Sequence, residues 1–260
     1  FRHQFGVEDN IRLSAASIQM FLHLQEELES PIDPQIQQCG YIFLAFSEDG
    51  LAQYRKNVQL QRSFGIPSEV LDAQQARSLV PWLVTDQVRG ASYCPWDGRA
   101  NPFKVTHAYA LAARRLGVEI NTGTRVLSLT TNDSSITGVA TDRGNVEARK
   151  VVCVAGAAST AIARTIGVDL PITPRRHQMM VTERVPWIGW PITISIQHQV
   201  SVFQTLDGNL IMGRGGPTEP KDFTITTSWQ ALAGEARGWM ELAPPLLELR
   251  IERHWAGTYD

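Results

Sequence analysis

Arg149-Lys150-Val151-Val152-Cys153-Val154-Ala155-Gly156-Ala157-Ala158-Ser159-Thr160 is the stretch whose reading decides the fold. Apolar, mostly β-branched residues run into small residues and a glycine, and Thr160-Ala161-Ile162-Ala163-Arg164 follows with the composition of a first helical turn. The pattern is strand, tight turn, helix. In a parallel sheet such a turn sits at the carboxyl end of its strand, where helix N–H groups favour an anionic group such as a pyrophosphate. A plain buried strand turning on a glycine would read the same way, so the surrounding chain has to decide between them.

Upstream, Asn101-Pro102-Phe103 opens a helix over 102–116 that Gly117 stops, and 118–120 reads as a strand. Short strands at 125–129, 136–140 and 146–148, joined by polar turns at 132–134 and 142–145, make a meander that feeds Val151. This is one α/β unit. Nearer the start, apolar residues at helical spacing predict an amphipathic helix over 11–28, and 41–46 reads as a strand. Ser47 caps a helix to about 64, and Asp72-Ala73-Gln74-Gln75 is a capping-box pattern closed by Pro81. A strand is predicted over 88–94. After Gly167 prolines interrupt the pattern, and strands at 177–182, 192–196, 201–205 and 209–213 predict a mainly antiparallel sheet. A helix over 226–242 and a strand over 249–255 complete the chain.

Composition narrows the function. A chain of 260 residues, 43% of them hydrophobic, can bury one large core or two smaller ones. Lysine and arginine total 24 against 26 acidic residues, and no basic run forms a phosphate-tracking stripe, which argues against a nucleic-acid partner. Cys39, Cys94 and Cys153 are far apart and odd in number, so they read as reduced packing residues. The six histidines show no metal-binding spacing, and the Gly-x-Ser-x-Gly elbow of many hydrolases is absent. No apolar run approaches the roughly 20 residues of a transmembrane segment, and no signal peptide leads the chain. A cytoplasmic protein is expected. The start at Phe1 and the stop straight after a strand suggest an internal piece of a longer protein.

Six motifs in order carry a resemblance: Phe1-Arg2-His3-Gln4-Phe5-Gly6, the Asp97-Gly98 to Asn101-Pro102 turn with its helix, the Val151-to-Ser159 stretch, Pro174-Arg175-Arg176-His177-Gln178, Asp207-Gly208-Asn209-Leu210 to Gly213, and Trp255-Ala256-Gly257-Thr258-Tyr259-Asp260. On these the chain resembles the D-amino-acid oxidase superfamily of flavoproteins, most closely its sarcosine oxidase, glycine oxidase and proline dehydrogenase branch. The resemblance implies α/β plus α+β architecture: part of a Rossmann-type FAD-binding domain over 1–38 and 95–170, and a substrate domain with a mainly antiparallel sheet over 39–94 and 171–250. Residues 251–260 would be a return strand. The family's Gly-x-Gly-x-x-Gly would lie upstream of Phe1, and its closing glycine-rich segment beyond Asp260.

Further expectations follow from the resemblance. Val126, Ala155, Gly156 and Ala157 would meet the FAD. Gly257 falls where some relatives carry a flavin-linking cysteine, and the 99–102 segment lacks a histidine, so the FAD would be noncovalent. Arg2 would bind the substrate carboxylate, with Phe203 and Tyr259 lining the cavity; Arg214 lies on a strand that would face the flavin. The implied reaction oxidises a small amine or amino acid (sarcosine, glycine, proline or D-amino-acid like) to an imine by hydride transfer to flavin N5. A partner subunit or an external electron acceptor would take the electrons. The alternative is a non-catalytic small-ligand-binding or interaction module derived from the substrate domain.

Overall fold

Local capping chemistry sets most helix starts. The computed structural model describes residues 1–133, 135–216 and 219–259, with the backbone alone for Arg214; Asp260, the end of the last motif, lies outside the described residues. Ser47 accepts from Gly50 N at 3.1 Å and starts α3 (Glu48–Ser63). The Asp72–Gln75 capping box is reciprocal, with 2.8 and 2.9 Å bonds, and starts α4 (Ala73–Leu79). Asn101 caps α5 (Pro102–Arg115), whose first residue is the proline.

The single helix expected over 11–28 is instead α1 (Glu8–Leu22) and α2 (Leu24–Glu27), parted at His23. In one continuous helix Ile18 and Leu24, six positions apart, would face different sides. The break lets both be 1% exposed.

Strands β1 (Gln37–Gln38), β2 (Tyr41–Ala45), β3 (Glu69–Leu71), β4 (Gly90–Cys94) and β5 (Gly98–Arg99) come before α5. After it run β6 (Val126–Asn132), β7 (Ser135–Thr141), β8 (Gly144–Glu147), α6 (Ser159–Arg164), β9 (Arg175–Arg184), β10 (Ile192–Ser195), β11 (Val200–Gln204), β12 (Asn209–Arg214), α7 (Trp229–Leu242) and β13 (Ile251–Tyr259). The chain forms two compact units: Phe1–Val118, Gln178–Gly215 and Thr227–Trp255 in the first, and Glu119–His177, Gly216–Thr226 and Ala256–Asp260 in the second.

The first unit is built on an eight-stranded sheet of order β13-β9-β12-β11-β10-β2-β4-β3. It is mainly antiparallel, as expected, except that β10 runs parallel to β2, with Ile192 opposite Tyr41. Strand alternation then divides the side chains between two faces. Met180, Val202 and Met212 turn to a core completed by Trp239 of α7, which is 0% exposed. Their sequence neighbours Met179, Phe203 and Ile211 consequently occupy the opposite face.

The expected division at residues 38 and 95 differs from these units, because 1–118 all go with the sheet. The cause is a buried polar network that ties the N-terminal segment to β4 and the turn after it. Asp97, 0% exposed, accepts from His3 N at 2.6 Å, His3 Nδ1 at 2.9 Å and Gln4 Nε2 at 3.0 Å. Gln4 also donates to Tyr41 O at 3.0 Å and accepts from Ser92 Oγ.

The second unit contains the expected meander, β6-β7-β8. Gly138 stands at φ 154, and a Cβ there would lie 2.1 Å from Val146 O, so β7 and β8 can approach only because it is glycine. Two expected strands are absent. Residues 118–120 and 151–155 make no ladder with any described residue, and Val152 and Val154 are 83% and 87% exposed. A β-branched sequence favours extended backbone, but a strand exists only where a neighbour pairs with it.

Candidate functional site

The sheet face opposite Trp239 borders a cavity of about 450 Å³. Period-2 alternation brings Met179, Phe203 and Ile211 to it from three adjacent strands, and Pro102, Phe103 and Trp255 add further apolar surface. Polar groups are few: Gln35, Arg99 and Asn101 stand in its wall, and Thr205 and the exposed Asp207 come from the β11–β12 turn. A mostly apolar cleft with a few placed polar groups is the usual form of a small-molecule site.

Each polar group is held by local structure. Asp33 Oδ1 accepts from Gln35 N at 2.8 Å, and Gln35 adopts φ 55, a left-handed conformation that a non-glycine residue rarely takes. Asn101 donates to Gln35 Oε1 at 3.0 Å while capping α5. Arg99 lies on β5, the strand paired with β1, and both its Nε (3.1 Å) and Nη2 (2.5 Å) donate to Gln37 Oε1. Its guanidinium carbon sits 5.2 Å from the Trp187 ring centroid. Burial holds the Arg99 pKa below its usual value, with Cys39 opposing; burial in turn raises the Cys39 thiol. Cys94 is pushed up to about 12, by burial first and then by the nearby Asp97.

The residues expected from the sequence are distributed as follows. Phe203 lines the cavity. Arg2 is half-buried with its guanidinium 4.6 Å from the Phe5 ring and 5.3 Å from that of Phe43, and it is not among the cavity's lining residues. In the second unit, Tyr259 is 66% exposed with its ring 5.8 Å from that of His177, whose pKa burial lowers against an opposing pull from Glu219. Val126, Ala155 and Gly156 are exposed and Ala157 is buried. Gly156 adopts φ 54 and begins a one-turn 3-10 helix, and Ala155 N donates to Ser159 Oγ at 3.1 Å. The Arg214 side chain lies outside the described residues.

For the second unit, the exposed Val126 and Ala155 beside the left-handed, exposed Gly156 fit one wall of a flavin site. α6, six residues long, adds no long helix N-terminus, and the chain contains no Gly-x-Gly-x-x-Gly. Sequence reasoning missed Gln35, Asn101, Met179, Ile211 and Trp255 as cavity residues, and noted Arg99 only within a segment lacking histidine. The alternation of β9, β11 and β12 is the signal that pointed to Met179 and Ile211.

Residues 2–260 match the family described as FAD dependent oxidoreductase, abbreviated DAO. The chain belongs to this family. It is 26% identical over 229 residues to the mitochondrial sarcosine dehydrogenase of Homo sapiens, covering 84% of this chain and 25% of that protein. Against sarcosine oxidase subunit beta of Arthrobacter sp. the identity is 27% over 264 residues, with 100% of this chain and 64% of the relative covered. The crystal structure of L-proline dehydrogenase from P. horikoshii superimposes with a TM-score of 0.91 at 29% identity, over 100% of this chain and 69% of that one. Glycine oxidase from Geobacillus kaustophilus shares the fold, with a TM-score of 0.86 at 21% identity over 99% of this chain and 70% of that one. The chain thus spans a quarter to about two thirds of the length of these curated relatives. Among the described residues no helix is long and apolar enough to cross a membrane.

Proposed function

We propose that this chain forms the substrate-cavity portion of an FAD-dependent enzyme that oxidises a small amine or amino acid to an imine. The observation that carries the reading is the cavity of about 450 Å³ on the sheet face opposite the core, mostly apolar with a few polar groups. Such a volume admits sarcosine, glycine, proline or a small D-amino acid with room to spare.

FAD, when bound, supplies the acceptor for two electrons and the hydrogen that leaves the carbon beside the amine. The nitrogen lone pair then closes the C=N bond, and water later hydrolyses the imine. Val126, Ala155, Gly156 and Ala157 are the residues of this chain proposed to hold the cofactor, noncovalently. Met179, Phe203 and Ile211 would exclude water from the reacting carbon, which strengthens every polar interaction inside the cavity. A carboxylate-bearing substrate needs a planar cation to fix its angle. Arg2, from the N-terminal motif, and Arg99, in the cavity wall, are the two groups proposed for that role, and Tyr259 is proposed as a substrate-binding aromatic. A partner subunit or external acceptor is proposed to reoxidise the flavin.

The test is the visible spectrum of the full-length gene product with FAD, followed by anaerobic addition of small amines. A retained flavin band that bleaches with one of them is the expected result. The alternative reading is a small-ligand-binding module without redox chemistry. A product that binds small carboxylates but never retains flavin would support that reading and remove the first.

A further inference from the structure

None of His3, Cys94 and Asp97 lines the cavity, yet the fold gathers them into one sealed cluster within the first unit. A ring nitrogen of His3, the Cys94 sulfur and a carboxylate oxygen of Asp97 all lie within 4.8 Å of one another, and all three residues are buried. The turn after β4 brings the sulfur and the carboxylate together at positions i and i+3. The N-terminal segment adds the imidazole from 94 positions away, with Nδ1 at 2.9 Å from Asp97 Oδ1.

A fourth donor faces the same cluster. Ser68 is fully buried and its hydroxyl makes no well-formed hydrogen bond to any described residue; the group it acts on is the Cys94 thiol, whose charged form it favours. An orphaned buried hydroxyl is costly, and a ligand that takes up its oxygen removes that cost. The charge of Asp97 is the second unmet demand. Among the described residues its ion-pair neighbour is His3, with no lysine or arginine in reach. Neutral N–H dipoles orient the carboxylate but leave its charge in the interior. A dication beside one carboxylate and one thiolate would form a neutral cluster. Mixed nitrogen, sulfur and oxygen donors suit zinc, whereas calcium and magnesium take oxygen alone. Tetrahedral zinc sets its donors about 3.3–3.6 Å apart, so His3 and Asp97 would have to part by only about 0.4 Å.

We propose that His3, Cys94 and Asp97 bind a zinc ion that pins the N-terminal segment to the end of β4, with the Ser68 hydroxyl in the fourth position. His3 N and Gln4 Nε2 stay on the carboxylate as its outer partners. Burial keeps the metal-free thiol protonated, so binding sends the Cys94 proton to solvent. The His3 ring proton moves from Nδ1 to Nε2, which frees the Nδ1 lone pair for the metal; one proton leaves the protein per ion. A site closed by four protein ligands is structural, not catalytic, and stands apart from the flavin chemistry. Because all four residues are buried, the ion enters as the chain folds.

Expression of the full-length product in cobalt-supplemented medium tests this, because Co²⁺ takes the same tetrahedral site and adds a d–d band to the red of a flavin spectrum. Elemental analysis should find about one ion per chain, together with that band. Cys94→Ala should lose both, while Cys39→Ala and Cys153→Ala keep both. Gln4→Ala, which loosens the carboxylate, should weaken retention against a chelator by about 10- to 100-fold. X-ray absorption of zinc-loaded wild-type protein should show one sulfur among the ligands, a result that needs no variant to fold. Folded wild-type protein without bound metal overturns the proposal. So does a band that survives in Cys94→Ala or vanishes in Cys153→Ala, and so does a zinc shell with no sulfur or with more than one.

Discussion

Replacing Asp97 by Asn should loosen the whole N-terminal segment. The carboxylate is 0% exposed and accepts three N–H donors, at 2.6, 2.9 and 3.0 Å, from His3 and Gln4. Asparagine keeps one oxygen for the two His3 bonds but turns an NH₂ towards the Gln4 amide. Gln4 cannot flip to accommodate it without loss, because its Nε2 also serves Tyr41 O and its Oε1 accepts from Ser92. One charge-assisted bond is lost and two are weakened, so the expected cost is about 2–4 kcal/mol. Asp97→Ala, which strands all three donors, should cost about 3–5 kcal/mol. Urea unfolding followed by tryptophan fluorescence reads the effect, with Trp96 as a nearby reporter at 6.1 Å from the His3 ring. A double-mutant cycle with Gln4→Ala should show strong coupling. An Asp97→Asn protein within 0.5 kcal/mol of wild type, or strict additivity with Gln4→Ala, would refute the network as the tie between this segment and the sheet.

Gly98→Ala should separate β1 from β5, because a Cβ there would stand 2.1 Å from Gln37 O; a loss of about 1–3 kcal/mol in urea stability is expected, and an unchanged midpoint would contradict the geometry. Thiol labelling of the native protein should modify the exposed Cys153 first and Cys94 only on unfolding, since Cys94 is buried with a pKa of about 12; equal rates would contradict its burial. His177 has a folded pKa below its unfolded one, so the unfolded chain binds more protons between the two values. Stability should therefore be full above about pH 6.5 and fall as the pH drops through the lower folded value, a decline that His177→Gln should flatten in pH-dependent urea titrations.

Features settled by neighbouring residues were legible in the sequence. Ser47, Asp72 and Asn101 each start a helix by meeting a backbone N–H three positions on, and that spacing is visible in one dimension. The meander was legible for the same reason. Residues 151–155 show the limit: their composition favours a strand, yet pairing depends on a partner that composition does not specify. The parallel contact between β10 and β2 joins Ile192 to Tyr41 across most of the chain, and no local signal announces it. Arg99 was harder still. Its placement depends on Gln37, 62 positions away, and on Trp187, so only the folded chain shows a guanidinium fixed beside a cavity.

Anaerobic titration of the flavin-loaded full-length product with sarcosine, glycine and proline, read as bleaching of the flavin band, tests the central claim most directly. Bleaching by at least one of them, weakened when its carboxylate is replaced by an amide, is the result predicted. Stable flavin that none of these amines reduces would contradict it.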